Sequence, residues 1–241
     1  MEEHKLIIVE WVNSLLKWLF SLLGIGFDPA KDILPGHVVM AVIVTAVIIV
    51  FFKLAVKNLS LFPQKMQNVL EFYYRFYQTL VDDMIGHEGR KFIPALGTLG
   101  TFIAVSNLLG LLPEMGSPTA NLNVTAGCAV FIFFYYHYQG IKRHGTWGYI
   151  KTFLGPVWWL YWLFLPIEIV SHFSRVLSLS MRLFGNIFGE DMVIIIIASY
   201  LLTFVGPIPV MALAIFTSLL QAFIFVMLST IYLAGAMAEE H

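Results

Sequence analysis

Long apolar stretches separated by short polar connections run the length of this chain. Five of them, at about 37–57, 92–113, 122–140, 156–200 and 208–236, are long enough to span a bilayer, whose hydrocarbon core takes on the order of 20 helical residues. The fourth has about twice that length, so it is steeply tilted, broken, or partly outside the lipid. Pro166 near its start is a candidate kink. Two further segments are amphipathic. Residues 6–26 are apolar but carry Glu10, Asn13 and Lys17, the pattern of a helix lying on the outer membrane surface. A sixth crossing is the alternative, opposed by the ~2.5–3.5 kcal/mol that each charge near a helix centre costs on insertion. Residues 66–84 interleave Tyr73, Tyr74, Phe76, Tyr77 and Leu80 with Arg75, Gln78, Asp82 and Asp83, which predicts an interfacial helix on the cytoplasmic side. The expected architecture is an all-α integral membrane protein. Residues 1–36 form an extracytoplasmic segment with an interfacial helix, and 37–241 form a single transmembrane domain. No internal repeat is visible, which removes the inverted-repeat signature of many secondary transporters.

Composition sharpens the class. Hydrophobic residues make up 59% of the 241 and charged residues 12%, about half the charge of an ordinary soluble domain. A net charge of −1 leaves no basic excess for nucleic acid. The lone Cys128 excludes a disulfide framework and a cysteine-based metal centre. The acidic start Glu2-Glu3 opposes a cleavable signal peptide.

The basic residues predict the orientation. Of fourteen Lys and Arg, six surround the first connection (Lys53, Lys57, Lys65, Arg75, Arg90, Lys91) and three lie in the third (Lys142, Arg143, Lys151). The connections near 114–121 and 201–207 have none. Positive charge stays inside, which puts the N-terminus outside and Glu239-Glu240-His241 in the cytoplasm.

Three more, Lys5, Lys17 and Lys31, belong to the N-terminal segment; the last two, Arg175 and Arg182, both fall in the fourth stretch together with Glu168, Glu190 and Asp191. Ionisable groups at membrane depth are costly and default to a functional reading. Glu168, Arg175 and Arg182 are spaced by seven and drift only ~20° per step, so they line one helix face with Ser171, Ser178 and Asn186 nearby. Along a helix, Glu168 lies about 21 Å to the cytoplasmic side of Arg182 and Asp191 about 13 Å to the outer side. Glu190 is closer to the arginine's face than Asp191. An Arg175–Glu168 pair is a structural alternative for Arg175, which is also near enough to the cytoplasmic end to snorkel. Arg182 has no carboxylate within one turn, so it faces a partner or a wet cavity; always protonated, it holds a carboxylate ionised or blocks a cation. His172, one turn after Glu168, forms with it either a proton path or a polar packing pair. Gln221 in the last span must face another helix, for packing or for function. Tyr232 lies near that span's cytoplasmic end, and Asn107 in the second span and Asn121, Asn123 and Thr125 at the third's outer end read as Gln221 does. His37, His137, His144 and His241 sit at span ends or in loops and read as surface residues. No phosphate-binding glycine loop, zinc-ligand spacing or nucleophile set emerges, so no catalytic activity, cofactor or metal is expected of the chain itself.

The run Ser178-Leu179-Ser180-Met181-Arg182-Leu183-Phe184-Gly185-Asn186, followed by Leu220-Gln221-Ala222-Phe223-Ile224-Phe225 and Tyr232-Leu233, closely resembles the subunit a family of F-type (rotary) ATP synthases. The segment from Asn107 to Pro113, then Pro118 to Thr125, resembles that family's earlier motif, and the likeness extends from about residue 30 to the C-terminus. The resemblance implies a proton-conducting stator that faces a rotating ring of c subunits and joins the b-subunit peripheral stalk and the soluble ATPase sector. It implies that Arg182 stands between two offset half-channels, with Asn186 and Gln221 beside it, Asp191 on the outer path and Glu168 toward the cytoplasm. It also implies a long, tilted fourth helix and a cytoplasmic amphipathic hairpin. The chain departs from the pattern at Ala214, where the family often has a histidine facing the acid at Asp191, leaving Glu190 or ordered water to complete the path; at Gly110, where some members have an aspartate; and at Arg175, often lysine. A stand-alone channel or ion-coupled transporter is the alternative. The expected location is a bacterial inner membrane, with a plastid membrane as runner-up, and the expected ion is the proton.

Overall fold

The computed structural model describes residues 7–22, 32–57, 65–112, 115–154, 158–200 and 207–238, and these are helical throughout apart from short connections. Lys5, Lys31, Pro113, the connection at 201–206 and both acidic ends, on which parts of the sequence reading rest, lie outside the described residues. Seven α-helices follow in order: α1 (Ile7–Leu22), α2 (Gly36–Ala55), α3 (Lys65–Met84), α4 (Ile93–Gly110), α5 (Leu122–Leu154), α6 (Tyr161–Tyr200) and α7 (Pro207–Met237). Three, at Gly36–Ala55, His87–Gly110 and Ile208–Met237, are long and apolar enough to cross a membrane, and the remaining expected spans are α5 and α6. In hydrocarbon only a helix satisfies its own backbone groups, so long apolar runs have no other stable form. Pro94 sits in the first turn of α4, where a missing N–H costs nothing.

The overlong fourth stretch is one unbroken helix of 40 residues that continues through Pro166. Its length is about 60 Å, twice the ~30 Å of a bilayer core, so it lies steeply tilted or overhangs the membrane. Two expected connections have more structure than their composition suggests. The third, expected at 141–155, is taken up as far as Leu154 by α5, which runs on from its span and turns sharply at Gly145 (φ 72°, ψ 165°). That left-handed backbone is cheap only for glycine. Beyond it Tyr149 folds back onto Gly140, leaving no room for a Cβ there. The described part of the second, 115–121, tucks into the bundle with a 3₁₀ turn at Pro118–Ala120, where Pro118 and Thr119 are buried.

The amphipathic helices dock rather than float. In α3, the Tyr73 hydroxyl donates to the Gly97 carbonyl of α4 at 2.9 Å. Phe76 meets Phe223 of α7 at 5.9 Å, and Tyr77 is buried against Gly100 and Val226. In α1, the Asn13 amide donates to the Leu34 carbonyl at 3.1 Å and accepts from the Leu34 N–H at 3.0 Å. Val9 packs there with Val39 and Met40. The main core runs through α4, α5, α6 and α7 and includes Leu96, Ile103, Ile132, Tyr136, Leu179, Leu183, Phe225 and Leu233. These contacts fix α6 against α7, and that pair carries the site.

Candidate functional site

α6 and α7 run antiparallel in strict register. Glu190 meets Thr217, Asn186 meets Gln221, and Arg175 meets Tyr232. A step of four or eleven residues along α6 is answered by the same step along α7, so the expected polar residues are threaded along a single seam.

At the expected outer end, the Thr217 hydroxyl donates to Glu190 Oε1. The buried Ala214, where a histidine would have stood, contributes only its carbonyl, 3.1 Å from the same hydroxyl. Asp191 is half-buried on the neighbouring side of α6. Thr217 was missed in the sequence, although it lies one turn before Gln221 and therefore on the same face.

In the middle, the Asn186 amide donates to Gln221 Oε1 at 2.8 Å, while Gln221 Nε2 is buried without a partner. The packing reading of Gln221 is thus met through one end of the amide, and the other end is left over. Arg182 is exposed and, among the described residues, forms no ion pair or hydrogen bond. Leu183 and Leu179 fill the buried side of this part of α6, so the arginine and Ser178, also exposed, face outward.

Toward the expected cytoplasmic end, a cavity of about 230 Å³ is lined by Glu168, His172, Arg175, Tyr232, Tyr136, Tyr149 and His144. Glu168 Oε1 lies 3.2 Å from His172 Nε2, and Tyr136 Oη lies 2.7 Å from His172 Nδ1. With Nε2–H donated to the carboxylate, a neutral ring accepts from the tyrosine hydroxyl at Nδ1 and a protonated ring donates to it, so the contact serves both states. The structural alternative for Arg175 fails in its expected form: Glu168 is matched with His172, and the Arg175 guanidinium stacks over the Tyr232 ring at 5.3 Å. A planar cation over an aromatic face gains electrostatic attraction without a carboxylate. The expectation that His137 and His144 are surface residues is also corrected. His137 sits in an aromatic cluster 4.8 Å from His172, and His144 turns a buried Nε2 toward the cavity wall. The fold-back at Gly145 brings Tyr149 and His144 here, and nothing in the local sequence signals it.

Asn107 stands apart from both ends. It accepts from the Thr119 hydroxyl at 2.6 Å and donates to the Ser218 carbonyl at 3.3 Å, while the Ser117 hydroxyl donates to the Ser106 carbonyl at 3.0 Å. It fastens the inserted turn to α4 and α7. Asn123 receives no such insertion; its N–H caps against Asn121 Oδ1 at 2.9 Å. Among the described residues there is no cluster of three or more metal-ligating side chains.

Comparison with known proteins gives one consistent result. The family described as ATP synthase A chain matches residues 38–234. Among curated proteins, the chain is similar to the ATP synthase subunit a of Desulfosudis oleivorans, 46% identical over 92% of this chain and 96% of that one. It is also similar to the subunits a of Sulfurimonas denitrificans, 43% identical over 92% and 99%, and of Syntrophobacter fumaroxidans, 43% identical over 94% and 97%. The match runs from the first turn of α2 to the last turn of α7, with the α6–α7 seam inside it, and the chain belongs to the ATP synthase A chain family.

Proposed function

We propose that this chain is the subunit a of a bacterial F-type ATP synthase and conducts protons through two offset half-channels against a rotating ring of c subunits. The observation that carries the reading is Arg182: a permanent cation in the middle of a long membrane helix, turned outward, with no partner among the described residues of its own chain. A charge so placed is costly unless something outside the chain answers it. A ring of carboxylates supplies that answer one subunit at a time.

The seam divides the work. On the outer side, Asp191 and the Glu190–Thr217 pair offer acids about 13 Å from Arg182 along the helix. On the cytoplasmic side, Glu168, His172 and Tyr136 form a hydrogen-bonded series beside the cavity, with Arg175 held over Tyr232. Arg182, with Asn186 and Gln221 alongside and Ser178 one turn below, stands between the two. A proton entering from outside passes to a ring carboxylate, because Arg182 repels it from crossing directly to the inner cavity. When the next ring carboxylate arrives, the same charge favours its ionised form and releases its proton to the inner side. A continuous pore would dissipate ~2.3 kcal/mol per charge per 100 mV. The division obliges each proton to turn the ring.

In this reading, residues 1–36 lie outside the cytoplasm, 37–241 form one transmembrane domain with a cytoplasmic C-terminus, and the b-subunit stalk and soluble ATPase sector complete the partners. The chain is a non-catalytic component; ATP chemistry belongs to the soluble sector. The test is ATP-driven acidification of inverted vesicles with Arg182→Ala at matched assembly. Loss of the gradient with ATPase subunits still bound is expected, and persistent pumping would overturn the reading.

A further inference from the structure

Thr217 lies where the outer acids need a partner, and the role inferred for it rests on the half-channel reading. Its oxygen contacts Glu190 Oε1 and also lies 3.1 Å from the Ala214 carbonyl and 3.2 Å from the Leu213 carbonyl. A hydroxyl has a single proton and two lone pairs, so it serves only one of these three acceptors at a time. We propose that Thr217 is a positioning residue that holds the Glu190 carboxyl in one place in both of its protonation states.

The balance is simple. With Glu190 ionised, the Thr217 O–H donates to Oε1, and its helix carbonyls keep their ordinary backbone bonds. When Glu190 takes a proton from the outer side, the new carboxyl O–H donates to the Thr217 oxygen, and the hydroxyl proton swings to the Ala214 or Leu213 carbonyl. The carboxyl O–H forms as an O–H of hydronium on the outer side breaks, and no other covalent bond changes. The proton stays on Glu190 until it is passed on, and Thr217 ends each cycle as it began. An aliphatic side chain at this half-buried position would leave the carboxyl without a fixed partner in either state.

Few other groups bear on this acid. Asp191 adjoins it on α6, and Arg182 lies two turns inward. From α7 the first titratable side chain is Tyr232, far along the seam. From α5 the first titratable side chain is Cys128, Tyr136 already lies against His172 at the other end of the seam, and the turn at Pro118–Ala120 brings none.

The experiment uses the assembled complex in inverted vesicles stripped of the soluble sector, with passive proton flux driven by a potassium diffusion potential across a range of pH. Thr217→Val keeps the shape and removes the hydroxyl; Thr217→Ser keeps the hydroxyl. Thr217→Val is expected to cut flux about threefold to fivefold, the scale of one interhelical hydrogen bond, and to move the midpoint of the pH profile. Thr217→Ser should keep the native midpoint, and Thr217→Val should add nothing in a Glu190→Gln background. A native midpoint and flux in Thr217→Val would overturn the proposal, as would an equal loss with and without Glu190. If Glu190→Gln with Asp191→Asn leaves flux unchanged, it is the half-channel reading that fails. If the acid pair matters and Thr217→Val does not, only the role of Thr217 is lost.

Discussion

Asn186 donates to Gln221 across the α6–α7 seam at 2.8 Å, and the other end of the Gln221 amide is buried without a partner. The amide is therefore half used by packing. Gln221→Leu removes the bond and strands the Asn186 donor, at a cost of about 0.6–2 kcal/mol for one interhelical hydrogen bond. Thermal unfolding of the assembled complex in mild detergent should show that loss, together with weaker ATP-driven pumping. A purely structural role predicts that pumping recovers fully at lower temperature, where the bundle is intact.

Arg182 makes no bond within the described chain, so the fold does not depend on it. Arg182→Ala should leave the unfolding midpoint close to native, within the roughly ±0.5 kcal/mol typical of exposed substitutions, while coupled transport disappears. Stability and activity separate cleanly at this position. At Leu183, one residue on and fully buried, truncation to Ala should cost about 2–5 kcal/mol, and both readouts should fall together.

The two outer acids are expected to share one path. Asp191→Asn alone should slow ATP-driven acidification without abolishing it, because Glu190 stands next to it with its carboxyl held by Thr217. The double change Glu190→Gln, Asp191→Asn should stop it. A normal rate in the double variant refutes this acid path.

Gly100 lets three helices meet. A Cβ built there would run into the Tyr77 hydroxyl of α3 and come within 2.7 Å of Val226 Cγ2 on α7. Gly100→Ala should destabilise the complex by about 1–3 kcal/mol, as overpacking of a filled core does. Tyr77→Phe in the same chain should recover part of the loss, since it removes one of the two clashes. Gly127, which has open space around it, is the control, where alanine should be neutral or mildly stabilising.

Arg90, at the start of the His87–Gly110 helix, grips Asp82 of α3 through two nitrogens, Nε at 2.9 Å and Nη2 at 2.7 Å. The guanidinium holds the Asp82 carboxyl below the usual carboxylate range. A depressed folded-state pKa contributes stability above the ordinary aspartate value, and that contribution is lost as pH falls through the lowered one. Asp82→Asn should therefore melt earlier than the native complex at neutral pH, with the gap closing in acid. A gap that persists undiminished at low pH rules this pair out as its source.

The legible part of the site was the part set by spacing along one helix. Arg182 and Asn186 share a turn, and Glu190 follows one turn on, whatever surrounds them. The seven-residue repeat that put Glu168 and Arg175 on a common face was correct as geometry. It misled as chemistry, because each side chain found a nearer partner from elsewhere: His172 from the next turn for Glu168, and the Tyr232 ring from α7 for Arg175. His137 and His144 read as surface residues because they lie at a span end or in a loop. The turn at Gly145 folds Tyr149 and Phe153 back against His137, and a glycine in a polar segment does not announce the direction of the chain beyond it.

What the sequence determined by itself was the membrane class, the helices, and the row of ionisable groups along the fourth stretch. All three follow from local rules: apolar length, the cost of an unpaired backbone in lipid, and a rise of 1.5 Å per residue. The tertiary structure alone decided the register of α7 against α6, and with it the pairing of Glu190 with Thr217 and Asn186 with Gln221. It also decided which way each charge faces and that the turn at Pro118–Ala120 is buried. These outcomes depend on shape. Whether Gly100 admits Tyr77 and Val226 is a matter of a few tenths of an ångström between helices distant in sequence, and no periodicity within one helix encodes it.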